Sequence, residues 1–124
     1  GENYQYNISY LERDFLNGLV RKLFARPMVS VSGSHLVHLA VNRLGTKYVI
    51  HLINTAGQHA NKNFYSYDEI PAVGPLTVRI RMNKPTRLML QPENKPLSFS
   101  YEKGEVMVKL SGLRIHSMIV ADEK

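Results

Sequence analysis

The hydrophobic period of this chain changes at Pro27, from a helical spacing to strict alternation, and that switch limits the fold more than any other feature. Before it, "SYLERDFLNGLVRKLFARP" (residues 9–27) repeats Leu11, Phe15, Leu16, Leu19, Val20, Leu23 and Phe24 along one stripe. The spacing predicts an amphipathic helix with Ser9 and Glu12 as a capping box and Pro27 as its stop; Gly18 is a weak point inside it. After Pro27 apolar residues alternate with polar ones in short runs, which predicts strands at 28–32, 35–43, 47–54, 75–82, 86–91, 96–102, 105–111 and 115–121. One helix and eight strands predict a mainly β fold, read here as an antiparallel Greek-key, immunoglobulin-like β-sandwich of about eight strands behind one N-terminal amphipathic helix.

Two hairpins can be given a register from the pattern alone. With Leu44-Gly45 as a turn, Val37 faces Leu52, Leu39 faces Ile50 and Val41 faces Tyr48, so one face is wholly apolar. A slip of one residue would mix the two faces. That register also puts His38 directly opposite His51 on the other face. With Lys103-Gly104 as a turn, Tyr101 faces Val106, Phe99 faces Val108 and Leu97 faces Leu110, while Ser98, Ser100, Met107 and Lys109 point outward.

The residue inventory removes several kinds of chemistry. The chain has no cysteine, so thiol catalysis, disulfides and cysteine zinc sites are excluded, although the compartment is left open. Its 16 Lys and Arg residues are spread along 124 positions, with Arg21, Lys22 and Arg26 the densest group, so the net charge of +6 reads as solvated surface and no nucleic-acid partner is expected. No apolar run approaches the roughly 20 residues of a membrane helix, and no membrane partner is expected. His38 and His51 are two ligands where zinc takes three or four, and His35 and His38 point to opposite sides of a strand, so no metal or other cofactor is expected. Asp68 and Glu69 are adjacent, whereas a glycosidase needs two carboxylates facing each other across a cleft. No phosphate-binding glycine loop, nucleophile elbow or repeat is found, and no catalytic residue is assigned.

The connection "TAGQHANKNFYSYDEIPAVG" between the third and fourth strands is the longest in the chain. Long connections in compact domains are often functional, which makes it the first place to look for a contact. Phe64, Tyr65 and Tyr67 either pack the loop onto the sandwich or offer rings to a sugar. In the second case His59, Asn61, Tyr65, Tyr67 and Asp68 are the candidate carbohydrate-binding residues. The absence of Trp weighs against it.

Four stretches carry a family resemblance: "LVRKLFARP", "VSVSGSHLVHLAVNRLGTKYVIHLIN", "TAG…YDEIPAVGPLTVRIRM" and "PTRLMLQPENKPLSFSYEKGEVMVKLSGLRIHSMIV". Their most specific part is the order "HLIN", "EIPAVGPLTV", "LQP" before a Lys-Gly hairpin, and "IHSMIVAD" at the end. Together they resemble, over nearly the whole chain, the C-terminal β-sandwich of multidomain bacterial glycoside hydrolases of the beta-galactosidase and alpha-fucosidase kind. In such enzymes a catalytic (β/α)8 barrel is followed by an α/β domain whose last helix leads into a small antiparallel sandwich. The resemblance implies that residues 1–27 are the exit helix of a preceding domain, which fits a reading of Gly1 as a remnant of tag removal, and that residues 28–124 are the sandwich. It implies no catalytic residue here, because the acid and the nucleophile lie in the barrel, and a barrel of about 250 residues does not fit in this chain. The expected role is a non-catalytic accessory domain that stabilises or orients the catalytic part of a glycoside hydrolase, or contacts another subunit. A carbohydrate-binding module using the loop 55–74 is the alternative. A periplasmic or extracellular location is favoured by the resemblance alone.

Overall fold

A computed structural model describes residues 10–57 and 69–123. One helix, α1 (Tyr10–Leu23), precedes nine strands: β1 (Val29–Ser32), β2 (Val37–Leu44), β3 (Lys47–Asn54), β4 (Leu76–Arg81), β5 (Arg87–Gln91), β6 (Lys95–Pro96), β7 (Ser100–Glu102), β8 (Glu105–Leu110) and β9 (His116–Asp122). They form two antiparallel sheets, of order β1-β4-β8-β7 and β2-β3-β9-β5-β6. In the larger sheet β9 returns from the end of the chain to lie between β3 and β5, an interleaving of the Greek-key kind. The mainly β sandwich with one N-terminal helix is therefore the fold that the switch of period predicts.

The inner faces meet in one core. Ile50 and Leu52 of β3, Leu76, Val78 and Ile80 of β4, Val106 and Val108 of β8, and Ile119 and Ala121 of β9 are essentially inaccessible to solvent. These residues alternate along their strands, so each strand presents one face to the core and the other outward. Each such Leu or Ile contributes about 1.5–3 kcal/mol of transfer free energy relative to exposure.

Three local readings are corrected. The β2–β3 ladder pairs Val37 with Asn54, Leu39 with Leu52 and Val41 with Ile50, two residues away from the expected register. The turn is Gly45-Thr46, and Gly45 has φ +61°, the sign that the first position of a type II′ hairpin turn requires. A shift of two leaves every side chain on its expected face, so the apolar pattern does not distinguish the two registers. It does separate the histidines: His38 lies opposite Ile53, and His51 opposite Ala40. The predicted strand 96–102 is divided between the sheets. Pro96 pairs with Met89 in the larger sheet, Leu97 N–H donates to Leu88 O over 3.0 Å, and the chain crosses to join the smaller sheet at Ser100. Pro96 lacks a donor for a continuing ladder and sits on a two-residue edge strand. Tyr101 still pairs with Val106 as read, but Leu97 and Phe99 lie in the crossing segment and pack against the margin of the core. The Lys103-Gly104 turn is as expected, with positive φ at both residues.

The helix ends at Leu23, four residues short of Pro27, and Ser9 of the expected capping box lies outside the described residues. Its apolar stripe is not packed on the sandwich. Leu11, Phe15, Leu16, Leu19, Val20, Leu23 and Phe24 are all exposed, Leu11 to 83% and Leu23 to 79%. Asn17, Val20 and Arg21 instead stand across an open cleft of about 820 Å³ from the edge strands β1 and β2.

Candidate interaction surface

The two sheets differ on the faces turned away from the core. In the smaller sheet the outward rows are Ser32-Thr77-Lys109, then Ser30-Arg79-Met107-Ser100, then Arg81-Glu105-Glu102. This is a solvated face, with Arg79 Nε 3.5 Å from Glu105 Oε1. In the larger sheet the corresponding rows are His38-Ile53-His116, Ala40-His51-Met118-Gln91, Asn42-Val49-Val120-Met89-Pro96 and Leu44-Lys47-Asp122-Arg87. Val49, Ile53, Met89, Met118 and Val120 occupy positions where an antiparallel sheet facing water carries polar side chains. An apolar sheet face of this kind is a candidate interaction surface.

Three side chains on that face are tied together. The rings of His51 and His116 are stacked, with centroids 5.3 Å apart and planes within 6°. His51 Nδ1 lies 3.1 Å from His116 Nε2, and the Asn42 side-chain amide lies 3.3 Å from His51 Nε2. Met118 is directly across the ladder from His51. Among the described residues no three His, Cys, Asp or Glu side chains come together.

Beside this face, Asn54 closes the end of the sandwich. Its buried Nδ2 donates to Pro71 O over 2.8 Å, Arg114 O over 2.6 Å and Leu113 O over 3.4 Å, while Oδ1 accepts from Ala56 N–H over 2.8 Å. A bridge between Val73 and Leu113 adds to the closure. The two ends of the connection between β3 and β4 are thereby fastened to the β8–β9 loop. The candidate carbohydrate residues His59, Asn61, Tyr65, Tyr67 and Asp68, together with Phe64, lie outside the described residues. Glu69, the neighbour of Asp68, is exposed. A cleft of about 430 Å³ opens nearby, between Glu93 of the β5–β6 turn and Lys95 of β6 on one side and Arg114 and His116 on the other.

Reading residues alone missed His116, Asn42 and Met118. A signal was present in "IHSMIVAD": its outward positions include Met118 and Val120, so neither side of β9 is polar. That β9 lies next to β3 is a matter of sheet order, and nothing in either segment by itself announces it.

Fold and surface define a small antiparallel β-sandwich domain with an N-terminal helix and one apolar outward sheet face. No protein-family model matches the sequence, and no curated protein matches it. Among solved structures the architecture is found in the alpha-L-fucosidase isoenzyme 2 from Paenibacillus thiaminolyticus, with a TM-score of 0.83 at 15% sequence identity. The superposition covers 99% of this chain, so it takes in the helix as well as the sandwich, and 19% of the fucosidase chain. At that identity the likeness is one of fold.

Proposed function

We propose that this chain is a non-catalytic accessory domain of a glycoside hydrolase, which docks on a catalytic part carried by the same polypeptide or by a partner subunit. The observation that carries the reading is the apolar outward face of the larger sheet, set against the polar outward face of the smaller one. Val49, Val120 and Met89 are half-buried and Ile53 is exposed on that face, and a neighbour seated there would cover the apolar surface they leave open. The exposed stripe of α1 supports the same reading, with residues 1–27 leading out of a preceding domain and residues 28–124 forming the docked unit. The fold likeness supports it too, since the matched region is a domain-sized fraction of a fucosidase.

The test uses an antibody against the sandwich to recover the native species from its source cells, whether fused or associated. The recovered material and the purified chain are then assayed on aryl α-L-fucoside and aryl β-galactoside. Hydrolysis by the recovered material and none by the purified chain is the expected pair of results. Turnover by the purified chain overturns the non-catalytic role, and recovered material without glycosidase activity overturns the association.

A further inference from the structure

The two sheets are bounded by β1, β7, β2 and β6, and three of these edges are blunted. β1 runs for four residues and β7 for three, while β6 is two residues long and ends in Pro96, which has no N–H to offer. The remaining edge, β2, runs for eight residues from Val37 to Leu44 and holds no proline. Its pairing with β3 continues without a bulge from Val37-Asn54 to Leu44-Lys47. A long, regular edge of this kind is a template for another strand.

The ladder shows which backbone groups are open. Thr55 N–H donates to Leu36 O over 2.8 Å, whereas Asn54 N–H points the other way and donates to Ile115 O. Backbone direction alternates along a strand, so Ile53, His51, Val49 and Lys47 bond to β2 through the residues opposite them, His38, Ala40, Asn42 and Leu44. Val37, Leu39, Val41 and Arg43 turn their N–H and C=O groups to the free edge, and these groups have no backbone partner among the described residues. Beside Val37 and Leu39 the edge borders the open cleft of about 820 Å³.

A second copy of β2, running antiparallel, supplies what these groups lack. With Ala40 opposite Ala40 of the copy, Val37 faces Arg43 and Leu39 faces Val41, so each of the four open residues exchanges both of its hydrogen bonds with one of the four in the copy. A shift by two residues in either direction leaves part of this set facing positions beyond the strand. The same register suits the side chains. Ala40 falls on the axis as a non-hydrogen-bonded pair, where Cα atoms approach to about 4.5 Å and a small residue fits. Leu39 and Val41 carry the apolar inner face across the junction, and His38 meets Asn42 on the outer one. Arg43 is the only Lys, Arg, Asp or Glu in β2, and it faces Val37, so no like charges are opposed. Its guanidinium is held over the Tyr48 ring of its own hairpin, 5.3 Å from the centroid.

We propose that the free edge of β2 pairs with the β2 edge of a second copy of this chain, antiparallel about a twofold axis at Ala40, and joins the two larger sheets into one. The contact uses an edge and leaves the outward face free for docking.

Sedimentation of the purified chain over a range of concentrations should show a shift from 14.1 kDa to twice that mass. Amide hydrogen exchange in the concentrated sample should slow at Val37, Leu39, Val41 and Arg43, every second residue of β2. Val41→Pro removes one open N–H and no bond to β3, so it should abolish the dimer and leave the melting temperature of the monomer nearly unchanged. Ala40→Lys and Ala40→Glu each set like charges against one another on the axis; each alone should be monomeric, and an equal mixture of the two should dimerise. That charge pair decides the matter if Val41→Pro fails to fold. A chain that stays at 14.1 kDa at every concentration overturns the proposal. So does a dimer that survives Val41→Pro, which would place the contact on the apolar sheet face or the helix stripe, and so does a mixture of the two Ala40 variants that remains monomeric.

Discussion

The side-chain amide of Asn54 donates a hydrogen bond to the carbonyl of Arg114 over 2.6 Å, and with it joins the end of β3 to the loop that leads into β9. The same Nδ2 reaches Pro71 O over 2.8 Å, so one buried amide holds three chain segments that lie far apart in sequence. Only a side chain with both a donor and an acceptor at that position satisfies these carbonyls and the Ala56 N–H together.

Asn54→Ala should therefore lower stability by about 2–4 kcal/mol, because it leaves buried carbonyls unpaired rather than merely removing a contact. Asn54→Asp should be at least as damaging, since a carboxylate accepts and cannot donate to them. Urea unfolding measures both. Limited proteolysis should find the connection between β3 and β4 cut faster in either variant; an unchanged midpoint would show that the knot contributes nothing net.

Two glycines should respond in opposite ways to alanine. Gly33 has φ +107°, and a Cβ there would stand 2.1 Å from Pro75 O, a backbone atom that cannot swing aside. Gly33→Ala should prevent folding or lower stability by more than about 3 kcal/mol, beyond the ordinary range for a surface change. Gly18, inside α1, has open space around it, and Gly18→Ala should raise helix content by about 0.5–1 kcal/mol of local stability. Thermal melts of the sandwich and far-ultraviolet circular dichroism of the helix report the two separately.

Neighbouring residues on β3 and β9 should differ sharply. Ile50 and Ile119 face the core and are fully buried, so Ile50→Ala and Ile119→Ala should each cost about 2–5 kcal/mol. Val49 and Val120 face outward next to them, and Val49→Thr with Val120→Thr should change stability by no more than about 1 kcal/mol. Where the catalytic part is a separate subunit, the outward pair should instead weaken recovery of glycosidase activity in the antibody experiment. Equal losses of stability at all four positions would contradict the assignment of faces.

The stripe of α1 should be dispensable to the sandwich. With Phe15 at 67% exposure and Leu19 at 43%, the double change Phe15→Ser and Leu19→Ser should move the melting temperature of the isolated chain by no more than about 3 °C. Binding of a hydrophobic dye should fall. A large drop in melting temperature would mean that the stripe packs on the sandwich after all.

The alternation after Pro27 was enough to place seven of the predicted strands, 28–32, 35–43, 47–54, 75–82, 86–91, 105–111 and 115–121, to within about two residues, and to say which side chains face the core, because side-chain direction along a strand is a local property of period two. It also identified the Lys103-Gly104 turn, whose positive φ values suit that pair of residues. The register of β2 on β3 escaped it, since a shift of two leaves the faces unchanged and the turn at Gly45-Thr46 makes the choice. The passage of residues 96–102 from one sheet to the other escaped it too, since that depends on where β5 and β8 lie. The pairing of His51 with His116 and Met118 depends on sheet order as well. Local pattern thus determined the strands and their faces, while tertiary structure alone decided which strands became neighbours, because contacts between residues far apart in sequence follow from how the whole core closes.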